Sequence, residues 1–377
     1  MQTERDWWNL PGPSGFANAV VEALRNRRNV VLALPEHHPP ALEDCLAEQI
    51  RVAELAHVLR LDLGDESPTL SPARLIHDRF SSLTTGEPAK ARTVVIAPEL
   101  QQTVVWVENQ TNATWQQWSC FLRDYSRECR AHSDAEPPLF VVPVVGQLVE
   151  QLPDSDVHLQ VERAEGRCQR FDMLIHVAEL WASVPSRSSL HRELAVSILV
   201  ELAGTDPRVA WRFQEQPEAI FNPLPILQEI GVRRGWKGTS QTSHAVSKQT
   251  GRVDMRDGRP FVHSADLAHR DASEIQQRLW RGQVAVLFPF LEDCRRRFID
   301  AHHIHLQVPV QTDYECITNK SGLELNHLAY QLRHRVDHQT WIRIELCREM
   351  RNDLAHLKPI AGTVLLSPDF QYLADCH

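Results

Sequence analysis

The sequence predicts an N-terminal α/β domain followed by all-α segments, and three observations lead to this expectation. Between residues 14 and 145, short apolar runs alternate with amphipathic helical stretches, as in a parallel sheet whose strands are connected by helices. After Asp154 the strand signals weaken, and helical stretches separated by Pro and Gly follow. From Asp271 to Leu357 apolar side chains recur at helical spacing, which predicts an up-and-down helical bundle.

Four segments follow from these patterns. We expect a parallel α/β domain over residues 1–155 and a helical middle segment, a lid or an adaptor, over 156–240. A linker or hairpin over 241–268 then leads to a helical bundle over 269–377. The length of 377 residues is compatible with two or three domains.

The first segment begins with an amphipathic helix for which Ser14 is the expected N-cap. The continuous apolar run Asn29–Leu34 predicts a strand buried in a parallel sheet. The pattern then repeats, with helices expected at 41–57, 72–83 and 114–130 and strands at 58–63, 93–97 and 139–145. Strands that alternate with helices imply right-handed crossovers between parallel strands.

The middle segment contains helices expected at 171–184, 190–203 and 207–214. Asp206 and Pro207 form a typical helix start, because Asp caps the first turn and Pro needs no N–H there. In the linker, Asp257-Gly258 predicts a turn and one hairpin. The histidines of this region do not have the spacing of a metal cluster, and we expect them in solvated loops. They are His244, His263 and His269.

Three or four helices are expected in the C-terminal bundle, and three of them can be placed. Asp271–Ala301 forms one long helical pattern, in which Pro289 is expected to introduce a kink. A second helix is expected over 321–336. The third, over 339–357, contains no Gly or Pro, and its apolar residues form a stripe on one face. These residues are Ile344, Cys347, Met350, Leu354 and Leu357.

Charge balance and cysteine usage argue against several classes of protein. With 49 acidic and 40 basic residues, the formal net charge of -9 is wrong for a protein that coats nucleic acid, although it leaves room for a small basic cleft. The eight Cys include no Cys-x-x-Cys pair, which favours reduced cysteines over a disulfide frame or a zinc site. The N-terminus lacks a signal-peptide core, and the apolar runs are too short to cross a bilayer. We therefore expect a cytoplasmic protein without membrane association or bound metal.

The stretch NRRNVVLALPEHHPPALEDCL resembles the opening of AAA+ and STAND-type P-loop ATPases, in which a buried strand leads into a phosphate loop and its helix. A working loop has the pattern G-x-x-x-x-G-K-[ST], whose backbone N–H groups, Lys and hydroxyl bind phosphate and magnesium. The corresponding segment 34–42 has no Gly, Lys, Ser or Thr, and Glu36 would repel phosphate. The resemblance therefore implies an inactive P-loop-like domain with no ATP hydrolysis and no cofactor.

Other phosphate-binding signals in this segment are also incomplete. After the predicted strand 93–97, Pro98 occupies the place of the magnesium-binding Asp of the family, and only Glu99 is acidic. The glycines of Gly12-Pro13-Ser14-Gly15 precede a helix instead of following a strand, and no Lys accompanies them. An unrelated doubly wound domain is the alternative, and it also predicts no ATP hydrolysis.

The third bundle helix ends in RNDLAH, residues 351–356, which resembles the R-x4-H motif of HEPN domains, small helical bundles that are often metal-independent RNases. The resemblance covers the region from 270 to 370. It implies a homodimer in which two copies of the motif face each other across one RNA-binding cleft. Arg351 would polarise the scissile phosphate and His356 would act as general acid or base. The RNA 2′-hydroxyl would be the nucleophile, leaving a cyclic phosphate.

The side-chain chemistry supports these roles separately from the resemblance. Arg offers planar donors that suit a phosphate, and His titrates near neutral pH. Asn352 and His356 are i,i+4 neighbours on a helix, so Asn352 can orient the imidazole. Arg351 and His356 are about 140° apart around an ideal helix. A two-chain cleft, or a helix that ends before His356, is therefore needed to bring them together. Weaker candidates for RNA binding are Arg348, Arg333 and Lys358.

The same spacing occurs at three other places, Arg127/His132, Arg297/His302 and Arg333/His338. Glu or Phe follows the Arg in the first two, and the third lies where a helix gives way to a turn. Only the Arg351 copy combines an Asn after the Arg with a long amphipathic helix. The opposing interpretation is that Arg351 and His356 merely favour the negative pole of the dipole at a helix end.

Together these patterns favour a metal-independent RNA endonuclease, a toxin-like effector of a bacterial conflict or antiphage defence system, joined to an inactive STAND-like scaffold. The defence role rests on the resemblance in architecture. The expected partners are RNA, a second copy bound through the C-terminal bundle, and a protein of a defence operon. A non-catalytic HEPN adaptor that scaffolds a defence complex is the first alternative. An active nucleotide-dependent enzyme whose phosphate loop lies elsewhere is the second.

Overall fold

The computed structural model describes residues 4–64, 70–80, 88–132, 134–236, 244–312 and 316–376. These residues divide into two compact units. Unit 1 contains the described parts of Met1–Asp172 and Gln241–Val262. Unit 2 contains the described parts of Met173–Ser240 and His263–His377. The predicted middle segment and the predicted C-terminal bundle thus contribute to one unit, while most of the predicted linker belongs to unit 1.

Helices and strands are numbered separately in chain order. The α-helices are α1 Glu4–Trp7, α2 Pro11–Arg25, α3 Leu42–Val52, α4 Pro72–Phe80, α5 Ala91–Val95, α6 Asn112–Ala131, α7 Arg170–Ala182, α8 Ser189–Ala203, α9 Pro207–Gln214, α10 Leu224–Arg233, α11 His244–Gln249, α12 Ser264–Arg270, α13 Ala272–His302, α14 Leu325–Leu332, α15 His338–Ala355, α16 Gly362–Leu365 and α17 Pro368–Asp375. The strands are β1 Asn29–Leu34, β2 His57–Asp62, β3 Thr103–Glu108, β4 Leu139–Val145, β5 Leu159–Arg163, β6 Val253–Arg256, β7 Arg259–Val262, β8 Val310–Gln311 and β9 Cys316–Ile317. Within the described ranges, no helix is long and apolar enough to cross a membrane.

Unit 1 is built on a five-stranded sheet with the strand order β2-β3-β4-β1-β5, and all its neighbouring strands are parallel. The predicted α/β class is therefore confirmed. Strand β1 is completely buried, as its continuous apolar run predicts. Asn29 at its start is 1% exposed, and its amide donates to the His158 carbonyl at 3.0 Å and accepts from the Phe140 N–H at 2.9 Å. The Asn29 side chain thus forms hydrogen bonds to strand β4 and to the residue just before strand β5, the two neighbours of β1 in the sheet.

The strand predicted at 93–97 is wrong, because most of this stretch is helix α5. Val94 and Val95 are fully buried on this helix, and the Thr93 hydroxyl accepts from the Lys90 N–H at 3.1 Å at its start. A short apolar run does not by itself distinguish a buried strand from a buried helical turn. The next strand of the sheet is β3, which the sequence analysis missed together with β5. The position of Pro98 after a strand is therefore also wrong.

Several predicted helices have different bounds in the structure. The first helix begins at Pro11, with Leu10 as N-cap, so the prediction of Ser14 as the cap is wrong. The Ser14 hydroxyl instead donates to the Pro11 carbonyl at 3.2 Å. Helix α3 ends at Val52, and α14 is shorter than the predicted 321–336. The predicted end of α4, residues 81–83, lies outside the described residues, and so do residues 237–243.

The predicted turn at Asp257-Gly258 is confirmed, since it connects the antiparallel strands β6 and β7. Asp257 has φ 51° and Gly258 has φ 75°, as the two central residues of a type I′ turn require. The hairpin is bonded to the chain after β5. The Asp257 N–H donates to Gln169 Oε1 at 2.6 Å, and the Gly166 N–H donates to Asp254 Oδ1 at 2.9 Å. This segment is therefore an integral part of unit 1 and not a free linker.

Unit 2 is centred on the long helix α13, which packs along α8. The two helices approach closely at Gly282, where a Cβ atom would lie 2.6 Å from the Ile198 Cα. Only Gly can occupy this position without moving a backbone. Pro289 lies inside α13, and helices α12, α14 and α15 also contact it. The large helical part of the fold prediction is thus confirmed.

A buried ionic cluster connects the start of α9, the end of α10 and the start of α12. Asp206 caps α9 as predicted, accepting from the Arg208 N–H at 3.1 Å, and it pairs with Arg234 and with Arg208 Nε at 3.0 Å. Burial by itself would raise the pKa of Asp206, but Arg234 and Arg208 hold this pKa well below its usual range. His263 lies 3.1 Å from the same carboxylate and is 5% exposed, so its prediction as a solvated loop residue is wrong. Burial lowers the pKa of His263 to about 4, which keeps the ring neutral.

Replacement of Arg234 by Ala should lower the free energy of unfolding of unit 2 by about 3–5 kcal/mol, because it leaves the buried Asp206 carboxylate without its main counter-charge. The neighbouring Arg233→Ala is a matched control. Arg233 is 69% exposed and pairs with Glu229, so its loss should cost less than about 1 kcal/mol. Urea denaturation of the two variants measures the difference. Equal stability losses would show that the Asp206 cluster is not a main support of the fold.

Candidate functional site

Helix α15 carries the candidate R-x4-H motif on a firmly buried scaffold. It begins at the N-cap Asp337, whose carboxylate accepts from the Thr340 N–H at 2.9 Å. The predicted apolar stripe is buried at four of its five positions, Ile344, Cys347, Met350 and Leu354. The fifth position is an exception, because Leu357 is 63% exposed and lies beyond the end of the helix.

The helix ends inside the motif. Ala355 is its last residue and His356 is the C-cap. The Lys358 N–H donates to the Asp353 carbonyl at 2.9 Å, and the Leu357 N–H donates to the Leu354 carbonyl at 3.2 Å. These two bonds form a Schellman motif, in which the residue after the cap adopts the left-handed conformation. Leu357 does so with φ 60°, where Gly is the usual residue.

Helix α13 fixes the chain on both sides of this turn. The Trp280 indole N–H donates to the Leu354 carbonyl at 2.7 Å. Gln283 is 1% exposed and forms two bonds with the backbone of Ile360, donating to its carbonyl at 2.9 Å and accepting from its N–H at 2.6 Å. The exposed loop that carries His356 is therefore held at two points on one rigid helix.

All three motif side chains are on the surface. Arg351, Asn352 and His356 are exposed, and Arg351 Nη2 lies 3.2 Å from Glu324 Oε2. The side chains of this ion pair are 44% and 48% exposed, so solvent screens it and its net contribution is small. The His356 N–H still donates to the Asn352 carbonyl at 3.0 Å, so helical geometry extends to the cap. Within one chain Arg351 and His356 therefore keep the wide angular separation of residues five apart on a helix.

The three weaker candidates for RNA binding have different surroundings. Arg348 Nε donates to Glu345 Oε2 at 2.9 Å on the same helix. The Arg333 guanidinium lies 5.8 Å from the centre of the Trp341 ring. Lys358 is exposed directly after Leu357. Of the three, Lys358 lies nearest to His356 in the chain.

The other R-x4-H pairs have visible structural roles. His132 caps the end of α6, with its Nδ1 atom 3.0 Å from the Glu128 carbonyl. Arg297 donates to the Cys376 carbonyl. The third pair converges on one aromatic ring, because Arg333 and His338 both contact Trp341, the latter in a stacked geometry with centroids 6.2 Å apart.

A second candidate site, which the sequence analysis did not find, lies in unit 1. A cavity of about 430 Å³ opens at the carboxyl ends of β1, β3 and β4, which is the edge where open parallel sheets bind ligands. Its wall includes Leu34, Glu43, Arg60, Trp106, Glu108 and Pro143. Recognition of Thr103–Glu108 as a strand would have placed Glu108 at this edge.

Glu43, in the wall of this cavity, has a raised pKa. Burial, a hydrogen bond to Glu108 and the charge of Glu108 raise the pKa of Glu43 to about 7, against the opposing charge of Arg60. Arg60 Nε lies 2.5 Å from Glu43 Oε1. Near neutral pH the Glu43 side chain is therefore partly protonated. Among the described residues, no group of three or more His, Cys, Asp or Glu is arranged to hold a metal ion.

Comparison with models of known protein families gives no match, and a search of curated proteins gives no significant similarity.

Replacement of Leu357 by Gly should raise the free energy of unfolding by about 1 kcal/mol, because it removes the cost of a left-handed conformation at a residue with a Cβ atom. Leu357→Ala retains the Cβ atom and should change stability by less than about 0.5 kcal/mol. Chemical denaturation of both variants tests this. A gain in the Ala variant equal to that in the Gly variant would point to the exposed side chain, and not the backbone, as the source.

The thermal stability of unit 1 should depend on pH through Glu43. The pKa of Glu43 is about 7 in the folded state, above its ordinary value of 4.5. Protonation of Glu43 therefore stabilises the folded state fully below pH 4.5, and this contribution is lost as the pH rises through about 7. We expect Tm of the wild type to fall relative to Tm of Glu43→Gln between about pH 5 and about pH 8. Glu48→Gln, an exposed change on the same helix, should follow the wild type. Parallel curves of Tm against pH for wild type and Glu43→Gln would contradict the raised pKa of Glu43.

Proposed function

We propose that the chain is a metal-independent endoribonuclease that uses Arg351 and His356 at the end of a HEPN-like helical bundle. The main support for this proposal is the exposure of the motif at the end of α15. The apolar face of α15 is buried, while Arg351, Asn352 and His356 are all exposed where the helix ends. A helix end that served only to stabilise the fold would not require an imidazole, an amide and a guanidinium to face solvent together. Glu324 is a weak surface partner of Arg351 that an RNA phosphate can replace.

Each group has a defined part in the proposed reaction. His356 as general base takes the proton of the RNA 2′-hydroxyl, and the 2′-oxygen forms a bond to phosphorus. The bond from phosphorus to the 5′-oxygen breaks, and this oxygen takes up a proton from solvent water. The products are a 2′,3′-cyclic phosphate and a 5′-hydroxyl. Arg351 donates to the phosphate oxygens as their charge develops, and Asn352 orients the imidazole from one helical turn away.

The proposed site is completed by a second copy of the chain. Arg351 and His356 are five residues apart at the end of α15, a spacing of about 140° around a helix, which favours a site made from two chains. Two such ends facing each other bring the Arg of one chain near the His of the other. A symmetric dimer through unit 2 therefore fits the motif better than a monomer.

For unit 1 we propose an inactive P-loop-like scaffold. The parallel sheet and the passage from β1 through a loop into α3 support this assignment. The loop itself, residues 35–41, contains no Gly, Lys, Ser or Thr and carries Glu36. Backbone donors and a Lys are what a phosphate loop needs, so we propose no ATP hydrolysis. We also propose a defence or toxin role, with a protein partner that restrains cleavage. This role rests on the architecture, in which an inactive P-loop-like scaffold is joined to an RNase-like bundle.

The purified protein should cleave single-stranded RNA in excess EDTA and leave cyclic phosphate ends. Arg351→Ala and His356→Ala should each reduce the rate by at least about 100-fold, because the first removes charge stabilisation and the second removes proton transfer. Gel analysis of end-labelled RNA measures the rate and the product ends. An equimolar mixture of the two variants, after subunit exchange, should regain part of the activity if the site contains both chains.

Two exposed residues outside the motif provide controls for this experiment. Arg127→Ala removes the Arg of a chance R-x4-H copy, and His303→Ala removes an exposed His of unit 2. Both variants should cleave at the wild-type rate. Wild-type cleavage by both motif variants would refute the assignment. A stable dimer that shows no cleavage in any buffer would instead favour the non-catalytic adaptor.

A further inference from the structure

The cavity at the carboxyl edge of the unit 1 sheet has the properties of a small-molecule site. Its volume of about 430 Å³ lies in the range of ligand pockets. Its wall combines a buried aromatic residue, Trp106, which is 4% exposed, with charged side chains at the ends of neighbouring strands and on α3. The apolar part of the wall includes Leu34, Leu42 and Pro143.

The charges of this cavity disfavour a phosphate. Among the described residues of its wall, Glu43, Asp44 and Glu108 carry carboxyl groups, and Arg60 alone is a strong base. Arg60 is already engaged, with Nε 2.5 Å from Glu43 Oε1 and Nη2 3.4 Å from Asp44 Oδ1. An anionic ligand would meet three acidic groups against one shared guanidinium. A cationic ligand would instead be attracted by the three acidic groups and repelled by one guanidinium.

A buried acceptor in the cavity has no donor when Glu43 is ionised. The Oε1 atom of Glu108 is fully buried and accepts from no N–H or hydroxyl group of the described residues, so the acid proton of protonated Glu43 is the donor beside it. A buried carboxylate oxygen is costly to leave unpaired, so a polar partner is the ordinary solution. When Glu43 loses its proton, a donor must come from elsewhere, and a positively charged N–H group of a ligand satisfies both the hydrogen bond and the charge. The Trp106 ring in the same wall adds a surface on which such a cation can lie.

We propose that this cavity binds a small organic cation with an amine or guanidinium group, whose N–H donors bond to Glu108 and Glu43. The ligand takes the place of the proton on Glu43, and that proton is released to solvent. Arg60 then remains paired with Asp44 at the rim. This site is separate from the R-x4-H motif, and the proposal does not depend on ribonuclease activity.

The test is calorimetric titration of the full-length protein with three probes, methylguanidinium, agmatine and spermidine. At least one should bind, and binding at pH 7 should release about half a proton, because Glu43 titrates near this pH. Repeating the titration in buffers of different ionisation enthalpy measures the release. Glu43→Gln and Glu108→Gln should each weaken binding by about 10- to 100-fold, since each removes a charge-assisted hydrogen bond.

Glu48→Gln is the matched control, because Glu48 lies on the same helix α3, outside the cavity wall, and pairs with Arg51. Its affinity for the probes should equal that of the wild type. Three outcomes would overturn the proposal. These are no binding of any of the three cations, equal loss of affinity in the Glu48 and Glu43 variants, and binding of ATP or Mg²⁺ in place of the organic cations.

Discussion

The close approach of α13 to α8 at Gly282 is the constraint on which the helical unit depends. A side chain there would collide with the backbone at Ile198, so the two helices keep this distance only with Gly. The same helix holds the end of α15, through the Trp280 indole and the two bonds of the Gln283 amide. The orientation of the candidate motif is therefore fixed by α13, and not by the motif's own helix alone.

Local sequence patterns were sufficient for elements whose apolar residues have one clear period. They predicted β1, the cap at Asp206 and the turn at Asp257-Gly258, because each depends on neighbouring residues only. They failed at 93–97, where a buried helical turn has the same composition as a strand. The position of β1 between β4 and β5 could not be predicted either, since strand order depends on contacts between distant parts of the chain.

The contrast between features set by neighbouring residues and features set by distant ones also explains which candidate site the sequence revealed. The residues of the motif at 351–356 are neighbours in sequence, so a pattern could reveal them, whereas the pairing of Arg351 with Glu324 could not be seen. Glu43 and Glu108 are far apart in the chain and meet only because β1 and β3 end at one edge of the sheet. The two sites also differ physically. The motif is screened by solvent, while the carboxyl pair is partly buried, where the electrostatic interactions are stronger.

The alternation of the chain between the two units has a consequence for its synthesis on the ribosome. Unit 2 begins at Met173, is interrupted by Gln241–Val262 of unit 1, and resumes at His263. Helix α8 therefore emerges well before α13, the helix against which its apolar side chains are buried. During translation the nascent chain must carry this apolar surface uncovered until α13 has left the exit tunnel. The amount of native protein in a cell should then depend on elongation rate and chaperone supply as well as on the stability of the finished fold.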